Sequence, residues 1–304
     1  MTVSARVIGE IRSRLPLLDI KTDEIMSRHC SFGIGGPAAA VIFPKSQSEL
    51  TDVCVLLKDI GIRPFIMGNG TNLLIGDGKI DRVIIKTARG VSDTVRNGPA
   101  GFVAGCGTTL AELAENALKS GLSGLEFAAG IPGTLGGAVV MNAGAYGGEM
   151  KDVVKRTYYL DEELNLSEAG GEEHGFSYRN SVFSDSDKII VKCEIELTPE
   201  APEKIRAAMR TYAGKRRRSQ PSDKPSAGSV FRRPKTGYAA MLIEEAGLKG
   251  FATGGARVSE KHAGFIVNTG GASFDDVLRL MEIIREAVYR NTGVDLEPEI
   301  KILC

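Results

Sequence analysis

The segment AGIPGTLGGAVVMNAGAYGGE, which runs from Ala129 to Glu149, constrains the fold of this chain more than any other. No charged residue lies between Glu126 and Glu149, and glycine recurs every few positions. Glycine loses much conformational entropy on folding, so a folded chain keeps it where the backbone turns with positive φ or approaches another group closely. Pro132 and the glycines interrupt the segment too often for a transmembrane helix. The segment is therefore either a tight series of turns or the surface of a close-fitting site.

The overall composition is that of an ordinary globular protein, with 42% hydrophobic and 25% charged residues. A chain of 304 residues is long enough for two or three domains, or for one large domain. Its 38 basic side chains equal its 38 acidic ones, so no overall field favours nucleic acid or a membrane surface as a partner. The N-terminal segment lacks the apolar core of a secretory signal and predicts a short amphipathic helix, so we expect a cytoplasmic protein.

Cysteine and histidine are too scattered to indicate a metal site. The histidines His29, His174 and His262 lie far apart in the sequence, and no CxxC pair occurs. We therefore expect no bound metal. An odd number of spread cysteines favours reduced thiols, most of them small core residues. The five are Cys30, Cys54, Cys106, Cys193 and Cys304.

The first part of the chain alternates strand and helix patterns. AAAVIFPKS, SELTDVCVLLKDIG and RPFIMG predict strand, helix and strand, and Ser46 and Glu49 have the spacing of a capping box. A second amphipathic helix, TLAELAENALKSG, is predicted to start with Thr109 and Glu112. RVIIKT, GFVAGCG and KIIVKCEIEL predict further strands, and TPEAP predicts a break and a domain boundary.

The last hundred or so residues predict a second unit that mixes helices and strands. EKIRAAMRTYAGKRRR and YAAMLIEEAGL predict helices, and RVSEKHAGFIVN predicts a strand pair or a turn that leads into a strand. Ser273 and Asp276 are predicted to begin the long helix SFDDVLRLMEIIREAVYRNTG. DLEPEIKIL predicts a strand with an early proline, in which alternation puts Glu297 and Glu299 on one face. The predicted fold class is α+β, with mixed sheets.

A second glycine-rich loop, MGNGTNLLIGDG, follows the strand pattern RPFIM. A Gly-x-Gly after a strand suggests a dinucleotide site, but the Rossmann fingerprint needs a third glycine that opens a helix, and residues 71–75 look extended. Taken alone, the loop is equally compatible with a plain turn and with a dinucleotide site. Together, the two glycine-rich loops offer backbone N–H groups that could hold a diphosphate without charge. They indicate a large cofactor between two lobes.

Six motifs in a fixed order resemble one protein family. GNGTNLL, AGCGTTLAELA, GLSGLEFAAGIPGTLGGAVVMNAGAYGGE, FSYRNSVF, AGSVFRRP and LEPEI are similar to those of UDP-N-acetylenolpyruvoylglucosamine reductases, also called UDP-N-acetylmuramate dehydrogenases. The resemblance covers nearly the whole chain from about His29 onward. It implies a two-lobed FAD-binding domain of the vanillyl-alcohol-oxidase (PCMH) type and a C-terminal α+β substrate-binding domain. It also implies reduction of UDP-N-acetylglucosamine enolpyruvate to UDP-N-acetylmuramate, with FAD and NADPH, in bacterial peptidoglycan precursor synthesis.

The resemblance also implies the domain boundaries and the absence of a large insertion. The segment between Arg179 and Ser229 leaves little room for the tyrosine-bearing loop that covers the substrate in one subclass, which implies the subclass without that loop. We expect a monomer. The expected parts are an N-terminal helix at 1–20, an FAD-binding domain at 21–198 with lobes of about 21–90 and 91–198, and a substrate-binding domain at 199–304.

Three catalytic residues are implied by the same resemblance. Arg179, in the motif Tyr-Arg-x-Ser, would meet the negative charge that develops on the substrate carboxylate when hydride from flavin N5 adds to the enol ether. Ser229 would donate the proton that completes the addition. Glu299 would lie beside the developing charge in its protonated form, with its pKa raised by burial. The choice of Glu299 over Glu297 depends on the resemblance alone.

Binding residues follow from the motifs as well and, for Arg217 and His262, from the segments KRRR and VSEKHAGF. Three of these residues also have a competing structural interpretation: Asn142 as a turn-forming asparagine, Arg217 as a cation at a helix terminus, and His262 as a structural histidine. The implied FAD contacts are Gly68, Asn69, Gly70, Thr71, Asn72, Leu73, Gly133, Gly136, Gly137, Asn142, Gly144 and Ala145, and the implied substrate contacts are Tyr178, Arg217, Arg233 and His262.

The sequence departs from the family pattern at three positions, and two other functions stay open. Gly33 and Cys30 stand where relatives often have a basic residue and threonine, and Arg233 stands where many have asparagine. One alternative function is a flavin oxidase of the same cofactor fold that acts on an alcohol or sugar lactone. Such oxidases often bind FAD covalently through histidine or cysteine, and neither glycine-rich loop contains histidine. The other is a non-catalytic nucleotide-sugar sensor.

Overall fold

The computed structural model describes residues 5–304. The chain divides into two compact units. The first comprises the described residues up to Thr22 with Ala39–Asn69 and Asp81–Lys215, and the second comprises Asp23–Ala38, Gly70–Ile80 and Arg216–Cys304. Two short segments of the expected FAD-binding domain thus belong to the same compact unit as the C-terminal residues. The expected domain boundary at 198/199 stays a prediction.

The helices follow the predicted pattern. The predicted N-terminal helix corresponds to α1, in which Val7 and Ile11 are buried, and its first four residues lie outside the described part of the chain. No helix of residues 5–304 has the length and apolar character that crossing a membrane requires. The described residues form α1 (Ala5–Arg14), α2 (Gln47–Asp59), α3 (Leu110–Lys119), α4 (Leu135–Val140), α5 (Pro202–Ser219), α6 (Ala239–Glu245) and α7 (Phe274–Thr292).

The strands are short, and those at Pro37–Phe43, Phe65–Met67, Ile80–Lys86, Gly101–Gly105 and Ile189–Glu196 lie where the sequence predicts a strand, whereas those at Val154–Leu160 and Leu166–Gly170 are not predicted. The predicted break TPEAP is different, because it contains a two-residue strand, Thr198–Pro199, that pairs with Leu122–Ser123 directly before α5. The strands are β1 (Asp19–Ile25), β2 (Pro37–Phe43), β3 (Phe65–Met67), β4 (Leu73–Ile75), β5 (Ile80–Lys86), β6 (Thr94–Arg96), β7 (Gly101–Gly105), β8 (Leu122–Ser123), β9 (Gly144–Ala145), β10 (Gly148–Glu149), β11 (Val154–Leu160), β12 (Leu166–Gly170), β13 (Ile189–Glu196), β14 (Thr198–Pro199), β15 (Ala252–Thr253), β16 (Ala256–Val258), β17 (Ile266–Asn268) and β18 (Lys301–Leu303).

Capping hydrogen bonds confirm three predicted helix starts. At α2, the Glu49 N–H donates to Ser46 Oγ at 3.1 Å. At α3, the Glu112 N–H donates to Thr109 Oγ1 at 3.2 Å, and Glu112 Oε2 accepts from the Thr109 N–H at 3.1 Å. Ser273 begins α7 with the same reciprocal arrangement. These bonds satisfy N–H groups that have no partner within the helix, which is why the sequence signal marks the boundary.

The first unit contains two sheets that contribute to one hydrophobic core. One sheet has the order β1-β2-β5-β3, with β3 and β5 parallel, and the other is antiparallel with the order β12-β11-β13-β7-β6. Ile42 of β2, Val191 of β13, Leu57 of α2 and Leu113 of α3 are all buried in this core. Burial of such side chains is the main favourable contribution to folding.

Three of the five cysteines belong to this core. Cys54, Cys106 and Cys193 are buried free thiols, whereas Cys30 is half-buried and Cys304 is exposed. Burial raises the pKa of each of the three buried thiols to about 12, so they stay protonated near neutral pH. The prediction of mostly core-filling thiols is confirmed. Within residues 5–304, no group of three or more His, Cys, Asp or Glu side chains is arranged to hold a metal ion.

The second unit packs two helices and a small antiparallel sheet. The sheet has the order β15-β16-β17, α7 lies against β15 and β16, and α6 lies against α7. Ile243, Val258, Ile266, Val277 and Ile284 are buried in the core of this unit. The predicted strand pair in RVSEKHAGFIVN is confirmed as β16 and β17.

The terminal strand is shorter than predicted. β18 begins only at Lys301 and pairs in parallel with β4. Before it, Pro298 forms a single antiparallel bridge with Phe231. Proline has no N–H to donate, and the hydrogen bonds beside this bridge are made by its neighbours, the Glu297 carbonyl and the Glu299 N–H. Glu297 and Glu299 therefore precede β18, so the predicted extent of the strand is wrong, and the shared face of the two glutamates stays a prediction.

His174 is a fully buried histidine of the first unit. Its Nε2 lies 2.9 Å from Thr157 Oγ1, its Nδ1 lies 3.1 Å from the Gly171 carbonyl oxygen, and its ring stacks on Phe176. The carbonyl contact requires an Nδ1–H, which leaves Nε2 as an acceptor in the neutral ring. Burial lowers the pKa of His174, and the Gly171 carbonyl and the Glu173 carboxylate oppose this shift only in part.

We expect the free energy of unfolding to fall as the pH drops below about 6.5. The folded pKa of His174 lies below its unfolded value, so the unfolded chain binds more protons in this range, and stability present above the unfolded pKa is lost toward lower pH. His262, whose pKa is also lowered by burial, adds to the same slope. His174→Asn keeps a donor near the position of Nδ1 and should flatten the slope, while it lowers stability at neutral pH by about 1–3 kcal/mol.

Urea unfolding of both proteins at about pH 7.5 and about pH 5.5 measures this difference. An unchanged slope in His174→Asn would contradict the assignment of the pH dependence to His174.

Candidate active site

The uncharged glycine-rich stretch folds as a short helix followed by a hairpin. Thr134 is the N-cap residue of α4, and β9 and β10 pair across a turn formed by Tyr146 and Gly147. Both turn residues have positive φ, 55° and 91°, as a type I′ turn requires. Tyr146 is bulky for this conformation, but its ring stacks on Tyr212 of α5 with centroids 4.8 Å apart, which offsets part of the backbone cost.

Gly68 and Asn69, the part of the second glycine-rich loop that belongs to the first unit, contact the uncharged stretch. Gly68 lies so close to the Thr134 hydroxyl that a Cβ at position 68 would collide with it. Asn69 Nδ2 donates to the Pro132 carbonyl at 3.0 Å. The sequence predicts each loop as a cofactor contact but does not predict that they touch. These contacts place uncharged backbone from both loops on one surface.

The Thr134 side chain indicates that a ligand belongs on this surface. Its hydroxyl is buried, makes no hydrogen bond to any described residue, and does not cap α4. A buried hydroxyl without a partner costs roughly 1–3 kcal/mol, which a ligand oxygen would remove. The residues therefore fit the diphosphate of FAD, which hydroxyl and backbone N–H groups can hold without cations. Sequence reasoning missed Thr134, although a threonine between a glycine turn and a helix is a common N-cap signal.

The predicted cofactor glycines of the stretch fall into two groups. A Cβ on Gly136 would lie 2.9 Å from the Cβ of Cys106, and a Cβ on Gly144 would lie 2.6 Å from a backbone oxygen of the hairpin. Packing within the chain therefore explains both glycines. A Cβ on Gly137 would meet only Thr134 Oγ1, at 3.6 Å, and Gly137 is exposed. Gly137 is the glycine whose missing side chain leaves room for a ligand.

Asn142 is hydrogen-bonded by the protein on several sides. It is fully buried, with φ 40°, and its Nδ2 donates to Glu149 Oε2 at 2.9 Å and to the Ser177 carbonyl at 3.1 Å. Its Oδ1 accepts from the Lys151 N–H at 3.0 Å. Both amide hydrogens are thus used within the first unit. This geometry favours the turn-forming interpretation of Asn142 over the predicted contact with FAD.

The remaining predicted FAD contacts lie in loops and at strand ends. Asn72 donates from Nδ2 to the Glu299 carbonyl at 3.2 Å, so this side chain supports the segment that carries a predicted catalytic residue. Contact with FAD stays a prediction for Asn72 and for the other residues of this group. The others are Gly133 before α4, Ala145 in β9, Gly70 and Thr71 in the loop before β4, and Leu73 at the start of β4.

Arg179 lies in a two-residue turn closed by an antiparallel bridge between Ser177 and Asn180. Its φ is 54°, a conformation that is uncommon for arginine and costs of order 1–3 kcal/mol. Such strain persists where the surroundings enforce it, often at functional sites. The guanidinium lies 5.0 Å from the centroid of the Tyr178 ring, and Nη2 lies 3.4 Å from the Gly144 carbonyl. The predicted catalytic arginine is therefore beside the glycine-rich hairpin of its own unit.

In the second unit, Ser229 and Glu299 lie at neighbouring backbone positions. The Glu299 N–H donates at 2.7 Å to the carbonyl of Val230, the residue after Ser229. The Glu297 carbonyl pairs farther along, where it accepts from the Arg232 N–H at 2.8 Å. This pairing favours Glu299 over Glu297 as the carboxyl group near Ser229. The sequence alone does not make that distinction.

The predicted substrate residues differ in how firmly they are held. Arg217 is exposed in the last turn of α5, and its carbonyl accepts from Lys261 Nζ. The Arg233 guanidinium lies 4.2 Å from the centroid of the Tyr238 ring, a cation–π contact. His262 Nδ1 accepts from a backbone N–H two residues on, at 3.2 Å, which favours its structural interpretation. Substrate binding by these residues and by Tyr178 stays a prediction.

Family models match both parts of the chain. The model described as UDP-N-acetylenolpyruvoylglucosamine reductase, C-terminal domain, matches residues 220–303, and the model described as FAD binding domain matches residues 38–163. The chain thus contains an FAD-binding domain. The predicted α+β fold class, with this domain followed by a C-terminal domain of the family, is confirmed.

Similarity to individual proteins extends over nearly the full length. The chain is 47% identical to the UDP-N-acetylenolpyruvoylglucosamine reductase of Caldanaerobacter subterraneus subsp. tengcongensis over 281 residues, 92% of each chain. It is 46% identical to that of Clostridioides difficile over 285 residues, 94% of this chain and 93% of the relative. The crystal structure of the Thermus caldophilus enzyme aligns with a TM-score of 0.80 and 31% identity, over 94% of this chain and 99% of the other. The chain therefore belongs to the UDP-N-acetylenolpyruvoylglucosamine reductase family, whose members are FAD-dependent oxidoreductases.

Proposed function

We propose that this chain reduces UDP-N-acetylglucosamine enolpyruvate to UDP-N-acetylmuramate, with FAD as cofactor and NADPH as reductant. The observation that supports the proposal most directly is the backbone hydrogen bond from Glu299 to Val230, the residue after Ser229, in a chain with an FAD-binding domain. The names of relatives with full-length similarity support the same substrate. The reaction would serve bacterial peptidoglycan precursor synthesis in the cytoplasm.

Arg179 is proposed to stabilise the charge that develops during the reaction. Bound FAD, once reduced by NADPH, would supply a hydride to the terminal carbon of the enol ether. Negative charge then develops on the adjacent carbon and its carboxylate. The planar guanidinium of Arg179 offers two parallel donors that match a carboxylate, which a lysine ammonium cannot do. Because the strained turn already fixes the backbone of Arg179, little reorganisation is needed as the charge grows.

Ser229 is proposed to donate the proton that completes the addition. A serine hydroxyl is a weak acid in water, but a carbanion-like centre shielded from water is a strong base. Glu299 is proposed to act in its protonated form, because an ionised carboxylate beside the growing charge would repel it. In that form it can donate a hydrogen bond to the substrate carboxylate.

Thr134 and the open face of Gly137 are proposed to hold the FAD diphosphate. The unpartnered Thr134 hydroxyl would gain an acceptor, and the absence of a side chain at Gly137 would let the ligand reach the backbone. Asn69 and Gly68 would support the same surface from the other loop.

Valine substitutions at two adjacent glycines separate a cofactor role from a packing role. Gly137→Val should leave the chain folded but weaken FAD binding by at least about 100-fold, or roughly 2.8 kcal/mol. The matched control, Gly136→Val, should lower the melting temperature instead, since its side chain would collide with Cys106. Thermal unfolding and flavin fluorescence titration measure the two effects. Full FAD affinity in Gly137→Val would rule out a ligand on this face.

The proposed reaction is tested by incubation of the FAD-loaded protein with NADPH and UDP-N-acetylglucosamine enolpyruvate. We expect one NADPH to be consumed for each product molecule, and mass spectrometry should find a product two hydrogen atoms heavier than the substrate. Acid precipitation should release the flavin into the supernatant. Oxygen uptake with alcohols or sugar lactones, together with flavin that stays in the precipitate, would support the oxidase alternative and contradict the proposal.

A further inference from the structure

The Arg179 turn is tied to the glycine-rich stretch by side chains that have no part in the reaction described above. We propose that Asn142, oriented by Glu149, is a positioning residue that holds this turn in the geometry that catalysis requires. The inference rests on the proposed function for the role of Arg179. The contacts that carry it are independent of that function.

One arm of the turn is held by the Asn142 side chain. Ser177 is the first residue of the turn, and its carbonyl accepts from Asn142 Nδ2 at 3.1 Å. The same Ser177 pairs with Asn180 through both backbone hydrogen bonds, so the amide of Asn142 is fixed to the base of the turn. Asn142 itself is fully buried and follows α4 by two residues. A displacement of Asn142 would therefore be passed directly to the backbone that carries Arg179.

The other arm is held by two serines that donate hydrogen bonds to the last residue of α4. Ser181 Oγ and Ser184 Oγ both donate to the carbonyl of Val140, at 2.9 Å and 2.8 Å. Ser184 Oγ also accepts from the Ser181 N–H at 3.1 Å. Both arms thus end on residues 140–142 of the glycine-rich stretch. The buried Ser181 of the Tyr-Arg-x-Ser motif is explained by this contact.

Glu149 fixes which way the Asn142 amide points. An ionised carboxylate only accepts hydrogen bonds, so its contact at 2.9 Å requires the Nδ2 group of Asn142 on that side. On the opposite side, Oδ1 accepts from the Lys151 N–H at 3.0 Å, and Lys151 Nζ lies 3.1 Å from Glu149 Oε2. The bond from Asn142 to Glu149 is charge-assisted and so stronger than a neutral one. With the amide fixed in this way, its second hydrogen is aimed at Ser177.

The strain at Arg179 explains why the turn needs such support. A residue with φ near 54° relaxes toward a commoner conformation when its surroundings stop enforcing it. A displacement of about 1 Å at a catalytic group can cost about 100-fold in rate. Loss of the Asn142 contact should therefore act on catalysis through Arg179 rather than through the cofactor.

Asn142→Ala tests this in the FAD-loaded protein. Reoxidation of the reduced flavin by the enolpyruvyl substrate should slow by about 10–100-fold, and flavin reduction by NADPH should change by less than about threefold. In an Arg179→Lys background, the same substitution should cost less than about threefold, because the two residues act as one unit. Equal losses in both backgrounds, or in both half-reactions, would mean that Asn142 has only a general structural role.

Amide hydrogen exchange tests the positioning without substrate. In the full chain, the peptide spanning residues 175–183 should exchange at least about tenfold faster in Asn142→Ala than in the wild type. Glu149→Ala should give an intermediate rate, whereas Glu149→Gln, which keeps an acceptor for Asn142 Nδ2, should stay close to the wild type. Ser167→Ala removes a hydroxyl hydrogen bond elsewhere in the same unit and serves as the control.

The two glutamate variants keep the test decisive if Asn142→Ala does not fold. Equal exchange in Glu149→Ala and Glu149→Gln, or unchanged exchange at residues 175–183 in a folded Asn142→Ala, overturns the proposal. Failure of the wild type to reduce the enolpyruvyl substrate would count against the proposed function. The exchange result would still decide whether Asn142 holds the turn.

Discussion

Ser229→Ala is expected to separate the two half-reactions. Reduction of the flavin by NADPH requires no proton from a serine and should proceed at close to the wild-type rate. Reoxidation by the enolpyruvyl substrate needs a proton at the carbon beside the carboxylate before the hydride can return. Loss of a positioned acid costs about 10²–10⁴-fold, and exclusion of water should push the loss toward the upper end. Stopped-flow flavin absorbance measures both half-reactions.

The control for this result is Ser229→Cys, which retains a donor of similar reach and lower pKa. Partial recovery of the second half-reaction would support a proton-donor role. If both half-reactions slow together in Ser229→Ala, the serine positions its loop or the cofactor. If neither slows, the proton comes from another group, and the proposed mechanism is incorrect.

Glu299→Ala should reduce turnover by about 100-fold or more, because the hydrogen-bond donor of its protonated carboxyl group is lost, whereas Glu297→Ala should reduce it by less than about fivefold. Glu299 pairs with the residue after Ser229, and Glu297 pairs two residues farther along. The two substitutions are matched because each leaves the backbone hydrogen bonds of its segment in place. Steady-state NADPH oxidation with the enolpyruvyl substrate measures both variants. Equal or reversed effects would contradict the assignment of Glu299 to the developing charge.

Local signals in the sequence predicted most of the secondary structure. The starts of α2, α3 and α7 were predictable because a serine or threonine three residues before an acidic residue satisfies the first N–H groups of the same helix. The strand pair β16–β17 is one of the two arrangements that the pattern of RVSEKHAGFIVN leaves open. In each case, the cause lies within a few residues of the effect.

Contacts between distant segments were beyond the reach of such signals. The bond from Asn142 to Ser177 joins residues 35 positions apart, and the bond from Ser181 to Val140 joins residues 41 apart. Alternation likewise predicts one strand over DLEPEIKIL, because it cannot show that Pro298 pairs with Phe231. The six motifs supplied most of the candidate residues, but the separate roles of Gly136 and Gly137 emerge only from what surrounds each of them.

An anaerobic titration tests the central claim most directly. The protein loaded with FAD is first bleached with one equivalent of NADPH, and UDP-N-acetylglucosamine enolpyruvate is then added without oxygen. We predict that the yellow flavin spectrum returns in proportion to the substrate added and that UDP-N-acetylmuramate is formed in the same amount. A flavin that NADPH bleaches but that stays bleached in the presence of this substrate would contradict the proposed function.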